Sequence, residues 1–226
     1  MTQLKKRRNK KLIRGTFIVI DGGDGTGTTS TTKYLADVFG DKAIRTREPG
    51  GSPLAEKIRA VILDPLAKQT DPKVMVALFS AARMDHAISV IRPALDKGLH
   101  VFCDRFDSST YAYQVRGGNR RDLAHEVHGQ RDVLLDLKVL PDHYIILDGD
   151  PRVCLERAKK RAQQLGEAPT HFDERELSFH DTVRKGFKDF VMIRPHTIVN
   201  AEEPENVVRA TVLAKVQEII NRNNRK

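Results

Sequence analysis

Asp21–Ser30 reads "DGGDGTGTTS" and follows the apolar run "TFIVI", Thr16–Ile20. A strand that runs into a glycine-rich turn and then a helix is the setting of a phosphate-binding loop, whose pattern is G-x-x-x-x-G-K-[ST]. Gly22, Gly27 and Thr29 fit that pattern, but Thr28 stands where the lysine is expected. Gly22, Gly23, Gly25 and Gly27 let the backbone turn tightly and aim its N–H groups inward, with Asp24, Thr26 and Ser30 completing the stretch. The following helix adds the positive end of its dipole, so phosphate oxygens can be held without any side-chain charge. Thr29 can offer a hydroxyl to Mg²⁺. The missing lysine would normally neutralise the β/γ-phosphates. This stretch alone is compatible with two readings: a phosphate loop without its cation, or a glycine-rich turn with no nucleotide role.

Outward from the loop, strand-like and helix-like stretches alternate, which predicts a mostly parallel sheet covered by helices. "GTFIVID", "KAIRT", "HVFCD", "DHYIILD" and "HTIVN" read as five strands. In "TSTTKYLADVFG" the expected face is Tyr34, Leu35 and Val38, with Gly40 as the stop. "SPLAEKIRAVILD" has Ser52 as expected N-cap, Pro53 at the first helical position and Leu54, Ile58 and Val61/Ile62 at helical spacing. A long helical region from about Asp71 to Asp96 contains Pro93, which predicts a kink near Ile91. Ligands of such sheets bind at the carboxyl ends of the strands. Asp21, Asp104 and Asp148 all fall at strand ends, on the edge that also carries the glycine loop.

The 226 residues suffice for one α/β domain, and 31% charged with 39% hydrophobic residues suits a soluble globular protein. No apolar run approaches the roughly 18 residues that a membrane span needs. No apolar signal core opens the chain, and Cys103 and Cys154 lack any regular spacing; both features predict a cytoplasmic protein with reduced thiols. The net charge of +9 is uneven: residues 1–14 hold Lys5, Lys6, Arg7, Arg8, Lys10, Lys11 and Arg14 and no acid, leaving about +2 elsewhere. This reads as a solvated, disordered arm preceding one domain, 15–226. Contact of the arm with nucleic acid has only its charge in favour, since no aromatic residue interleaves with the cations.

"TREPGGSPLAEKIRAVILD", "LFSAAR", "IRPALDKG", "DRFDSSTYAYQ" and "PDHYIILD" occur in that order. Together they resemble the bacterial-type thymidylate kinases, from about Thr16 to the last helix. The resemblance implies a P-loop nucleoside monophosphate kinase fold with a five-stranded parallel sheet flanked by helices, a lid at about 157–175, and a homodimer packed through helices. It implies transfer of the γ-phosphate of ATP to the 5′-phosphate of dTMP with Mg²⁺. In its terms Phe79 stacks on the base, and Arg83 and Gln114 read the polar edge of the pyrimidine. Tyr113 lies near the sugar 2′ position. Arg105 and Arg59 clamp the acceptor phosphate, and Glu48 organises the sugar or phosphate site. Asp24 lies near the transferred group and the 3′-hydroxyl, and Asp104 with Thr29 serves Mg²⁺. A fork of N–H donors suits a carbonyl, and an amide suits a pyrimidine edge, so these residue types fit those tasks.

Two cations that such a site needs are changed. One is the loop lysine, now Thr28. The other is a lid arginine, whose position aligns with His171 in "THFD". A histidine is only partly charged near neutral pH. Arg157, Arg161 and Arg175 around the lid, and Arg116 in "QVRGGN", are candidate substitutes. Acceptance of dUMP or a 5-modified dUMP stays open, because a missing methyl is worth only about 1–3 kcal/mol in an apolar pocket. A catalytically weakened nucleotide-binding protein on the same fold is the competing reading.

Overall fold

The computed structural model describes residues 14–166 and 175–225. The expected arm up to residue 13, and the part of the expected lid that holds His171, lie outside the described residues.

Five strands form one parallel sheet in the order β2-β3-β1-β4-β5. They are β1 (Phe17–Gly22), β2 (Ala43–Arg47), β3 (His100–Asp104), β4 (His143–Asp148) and β5 (His196–Asn200). β1 lies in the centre, and all six of its residues are buried. A strand covered on both faces has no solvent side and therefore reads as a continuous apolar run. Phe17 and Val19 face one core, where Ala87, Ile91, Leu95, Phe106, Phe187 and Phe190 pack. Ile18 and Ile20 face the other, with Leu35, Val212, Val216 and Ile219.

The helices begin and end where local chemistry dictates. α1 (Thr28–Phe39) leaves the glycine loop and stops at Gly40. α2 (Pro53–Leu63) opens on a proline, whose missing N–H costs nothing in a first turn. α3 (Pro72–His86) is capped by Asp71, whose side chain accepts from the Lys73 N–H. α7 (Pro151–Leu165) is capped by Asp150 in the same way. A π-helical segment, Ala87–Ile91, joins α3 to α4 (Arg92–Asp96). It falls where Pro93 predicted a disturbance, because the proline ring removes one donor and crowds the carbonyl four residues back. α5 (Asp107–Thr110) likewise continues as a π-helical stretch, Tyr111–Gly117. α6 (Ala124–Asp136), α8 (Leu177–Val191) and α9 (Glu205–Asn223) complete the layers.

Several local expectations are corrected. Ser52 precedes α2, but its hydroxyl bonds Asp85 on α3 and makes no cap bond. The buried face of α1 is Thr28, Thr31, Thr32 and Leu35, whereas Val38 is 47% exposed. α2 buries Ala55 and Ile62 and leaves Leu54 and Val61 exposed. Arg14, counted with the arm from its sequence, belongs to the fold: it donates to Asp142 at 2.9 Å and to the Lys138 carbonyl at 3.2 Å. The continuous helical run Pro72–Asp96 is long and apolar enough to cross a membrane by length and composition. Its Met75, Val76, Phe79, Arg83 and His86 are instead buried within the protein, as in the core helix of a packed domain.

Candidate functional site

The register places Ile20 beside Asp104 and Asp21 beside Ile146, so the carboxyl ends of β1, β3 and β4 share one edge. The three strand-end acids have different fates there. Asp21 is fully buried and accepts from the Ser108 and Ser109 hydroxyls at 2.6 and 2.8 Å and from the Gly22 N–H at 2.9 Å. Burial pushes its carboxyl up to about 6, against the opposing pull of Arg105 and these donors. Asp148 is bound by Arg184 at 2.6 Å and Lys188 at 2.8 Å. Burial raises its pKa, but those two cations outweigh it and hold it below the usual carboxylate range. Of the three, only Asp104 lines the large cavity at this edge.

The loop between β1 and α1 turns through Gly25 (φ 77°) and Gly27 (φ 93°), in the left-handed region that side chains disfavour. A Cβ on Gly25 would come within 1.8 Å of the Cys154 carbonyl, so the loop lies directly against α7. The Thr26 hydroxyl donates to the Gly23 carbonyl and the Ser30 hydroxyl to the Gly27 carbonyl. The first-turn N–H groups of α1 have no acceptors within the helix. The turn therefore presents donors and no ammonium group. Thr28 is buried.

Thr29 donates to Asp104 Oδ2 at 2.6 Å, while Asp104 Oδ1 is enclosed without a hydrogen-bond partner among the described residues. A hydroxyl and a carboxylate with a spare oxygen fit a hard cation such as Mg²⁺, which takes few protein ligands and completes its shell with water and phosphate. Among the described residues, no cluster of three or more His, Cys, Asp or Glu side chains could form an all-protein metal site.

A cavity of about 650 Å³ extends from Thr29 and Asp104 to Phe79 and Gln114. It brings together Asp24, Thr29, Glu48, Arg59, Phe79, Arg83, Asp104, Arg105, Tyr113, Gln114 and Arg161, all singled out from the sequence. Arg105 follows β3 with φ 69°, a strained conformation for a residue with a side chain. Its guanidinium donates to Asp24 at 2.8 Å, the Gly22 carbonyl at 3.0 Å and Ser109 at 3.2 Å. Tyr113 donates to the other oxygen of Asp24 at 2.8 Å. Burial pushes the Tyr113 phenol well up, and the adjacent Asp24 charge adds to this, so it stays a donor.

Glu48 and Arg83 form a buried pair, Nε to Oε2 at 2.8 Å, with side chains 4% and 2% exposed. Arg83 also donates to Thr110 at 2.8 Å, and its contact with Gln130 is long, 3.4 Å. His86 joins Glu48 to Thr46. Arg59 donates to the Pro49 carbonyl at 2.9 Å. Burial and the neighbouring Arg47 charge lower its pKa. Phe79 packs on Ile62 and Met75 at one wall. Gln114 is buried, and its Oε1 has no partner among the described residues.

Other expected residues lie elsewhere. Arg157 donates to the Ala201 and Glu202 carbonyls, Arg116 pairs with Asp189, and Arg175 lies over the Phe179 ring. Lys159, one of the basic residues that precede the lid in the sequence, also lines the cavity, as do Arg45 and Arg47, which were not singled out. Arg45 and Arg47 could have been found: they alternate along an edge strand whose carboxyl end is the ligand edge. His180, buried with Nδ1 3.8 Å from Asp24, carried no comparable signal. Around the cavity seven arginine and lysine side chains face three acids. That excess suits polyanionic ligands.

The sequence model of a family described as thymidylate kinase matches residues 20–212. A thymidylate kinase of Magnetococcus marinus is 36% identical over 215 residues, covering 91% of this chain and 97% of that protein. One of Deinococcus radiodurans is 35% identical, covering 92% and 98%. The solved structure of thymidylate kinase from Ehrlichia chaffeensis superposes with a TM-score of 0.68 at 27% identity, covering 90% of this chain and 99% of that one.

Proposed function

The chain belongs to the thymidylate kinase family, and we infer that it transfers the γ-phosphoryl group of ATP to the 5′-phosphate of dTMP. The observation that carries this is the single cavity that joins the glycine loop, with Thr29 and Asp104, to Phe79, Arg83 and Gln114. A phosphoryl transfer between nucleotides needs two anions held in line and their charge neutralised, with little covalent work for the protein. Donor phosphates lie on the loop and the α1 N-terminus. Thr29 and Asp104 hold Mg²⁺, which when bound neutralises charge on the donor phosphates. The acceptor base stacks on Phe79. Arg83 and Gln114 read its edge, and the enclosed Gln114 Oε1 supplies an acceptor for a base N–H. Arg105 and Arg59 hold the acceptor phosphate. Asp24 keeps the Arg105 fork in place and, with Tyr113, faces the sugar.

The loop lacks its lysine, and Arg161 is the lid-side cation assigned to the donor phosphates. It lines the cavity, as Lys159 does, and it alone of the four candidate arginines does so, since Arg157, Arg116 and Arg175 are engaged as described above. An arginine at such a transition state is worth roughly 10³–10⁵ in rate, enough to offset the lost lysine. The exposed apolar residues Leu54 and Val61 on α2, and Val74 and Ile88 on the run from α3, share helical faces that support a homodimer. Buried Cys103 and Cys154 suit a reducing cytosol.

A coupled assay with ATP and Mg²⁺ against dTMP, dUMP, dCMP and dGMP tests the reading. Turnover with dTMP, and to a lesser degree dUMP, is expected. Absence of turnover with every acceptor, despite nucleotide binding, would transfer support to a catalytically weakened nucleotide-binding protein.

A further inference from the structure

We propose that His86 is a positioning residue for the acceptor base: through Glu48 it fixes the rotation of the Arg83 guanidinium, and so the reading of the pyrimidine edge. The inference deepens the kinase reading of this cavity and rests on it.

His86 is fully buried on α3 and does not itself line the cavity. Its Nε2 lies 2.6 Å from the Thr46 hydroxyl and its Nδ1 3.2 Å from Glu48 Oε1. A carboxylate only accepts, so Nδ1 carries the proton there, while the hydroxyl can give or take at Nε2. Arg83 lies three residues earlier on the same helix face and holds the other oxygen, Oε2, at 2.8 Å. Two side chains of one helix thus divide a single buried carboxylate between them. Gly51 closes over the imidazole: at its φ of 88°, a Cβ would come within 2.6 Å of His86 Nε2 and of the Thr46 hydroxyl. The turn that follows Glu48 therefore packs directly on His86.

The division matters for Arg83, which does line the cavity. Its Nε goes to Glu48, its Nη2 to Thr110 at 2.8 Å, and its guanidinium lies 5.1 Å from the centroid of the Phe106 ring. Nη1 has only the long 3.4 Å contact with Gln130, so it is the nitrogen left for a base carbonyl. Without His86, Glu48 Oε1 is buried and unpaired, which is costly. The carboxylate relieves this by turning both oxygens to the guanidinium, because arginine and carboxylate favour a two-bond fork. That turn draws Nη2 off Thr110 and shifts Nη1 from the base.

The test is the coupled assay on the full-length protein, with His86→Leu, His86→Asn, His86→Gln, Arg83→Met and the double variant His86→Leu/Arg83→Met, each checked by thermal unfolding. His86→Leu should raise KM for dTMP about tenfold, the scale of one lost charge-assisted hydrogen bond, with kcat within about threefold and KM for ATP within about twofold. A fold merely loosened would lower the amount of active protein, hence kcat, and leave KM for dTMP alone. His86→Asn places an amide N–H near the position of Nδ1 and should recover most of the loss. His86→Gln places it near Nε2, toward Thr46, and should fare as His86→Leu does. In the Arg83→Met background, His86→Leu should cost less than about threefold in kcat/KM for dTMP, because the group it positions is gone. The proposal is overturned if His86→Leu leaves KM for dTMP unchanged, if its cost is undiminished in the Arg83→Met background, or if His86→Asn fares no better than His86→Gln. A wild type that binds dTMP without turnover would overturn the kinase reading alone, and calorimetric Kd values for dTMP would then score the same variants.

Discussion

Nη2 of Arg105 lies 2.8 Å from Oδ1 of Asp24, joining the end of β3 to the glycine loop 81 residues earlier in the chain. The contact makes the two halves of the cavity one unit, because Arg105 also donates to the Gly22 carbonyl of the same loop. Its strained φ of 69° is tolerated because four hydrogen bonds hold the guanidinium in that place.

Arg105→Lys keeps the charge and loses the fork. A lysine cannot hold Asp24, the Gly22 carbonyl and a phosphate together, so kcat/KM for dTMP should fall about 10²–10³-fold, the range for loss of one preorganised donor. Steady-state kinetics in the coupled assay read this directly. A change of less than about fivefold would mean that charge, and not the geometry of the fork, is what Arg105 contributes.

Arg161→Ala should lower kcat/KM for ATP by about 10²-fold or more, as removal of a cation from the donor phosphates does. Thr28→Lys placed in the Arg161→Ala protein should recover about a tenth of the wild-type value by returning an ammonium group to the loop. If Arg161→Ala is within a few-fold of wild type, the donor cation lies elsewhere. Loss of the remaining activity in the double variant would mean that the loop admits no lysine.

Gln114→Leu separates binding from stability. The side chain is buried, and its Oε1 lacks a partner among the described residues, so an isosteric apolar group removes an unpaired polar atom. The variant should be as stable as the wild type or more so. It should nevertheless lose about 10–100-fold in kcat/KM for dTMP, because a base edge is left unpaired. Thermal unfolding and kinetics measured together give the answer; loss of stability in step with activity would assign Gln114 to packing.

Asp21 predicts a pH dependence of stability with a definite sign. Burial raises its carboxyl in the folded protein from 3.8 to about 6. Between those values the native state binds more protons than the unfolded chain, so stability falls as pH rises from about 4 to about 6 and is level above. The drop is of order 1–3 kcal/mol. Asp148 acts the other way and lower on the scale: its folded pKa is depressed, so its contribution is present above the unfolded value and is lost as pH falls through the folded one. Urea unfolding from pH 4 to 8, with Asp21→Asn beside the wild type, isolates the Asp21 slope. Equal slopes in the two proteins would show that Asp21 stays ionised throughout.

Much of the fold was legible because it depends on short-range rules. Five apolar runs with helical patterns between them allow one parallel sheet, and Gly25 and Gly27 mark a turn that no other residue type enters without strain. The helix faces were legible only in part. Thr31, Thr32 and Ala55 are buried where larger apolar neighbours are not, since the shape of the groove beneath a helix decides what fits. The site residues Asp24, Arg59, Phe79, Arg83, Arg105 and Gln114 followed from resemblance, and they do meet in one cavity. Arg47 was passed over because an arginine in a strand looks like any surface cation until its neighbours are known.

By itself, the amino-acid order determined the parallel architecture and the glycine-rich turn with Thr28 at its lysine position, because these rest on backbone freedom and residue chemistry; the candidate acceptor residues followed from resemblance. Tertiary structure alone decided which of those side chains are committed. It neutralised Asp148 with Arg184 and Lys188, tied Arg157 to two carbonyls, and left the spare valences of Asp104, Gln114 and Arg47 open. The physical reason is that a hydrogen bond or ion pair is a property of two groups and their exposure, and the chain brings distant partners together only when it folds.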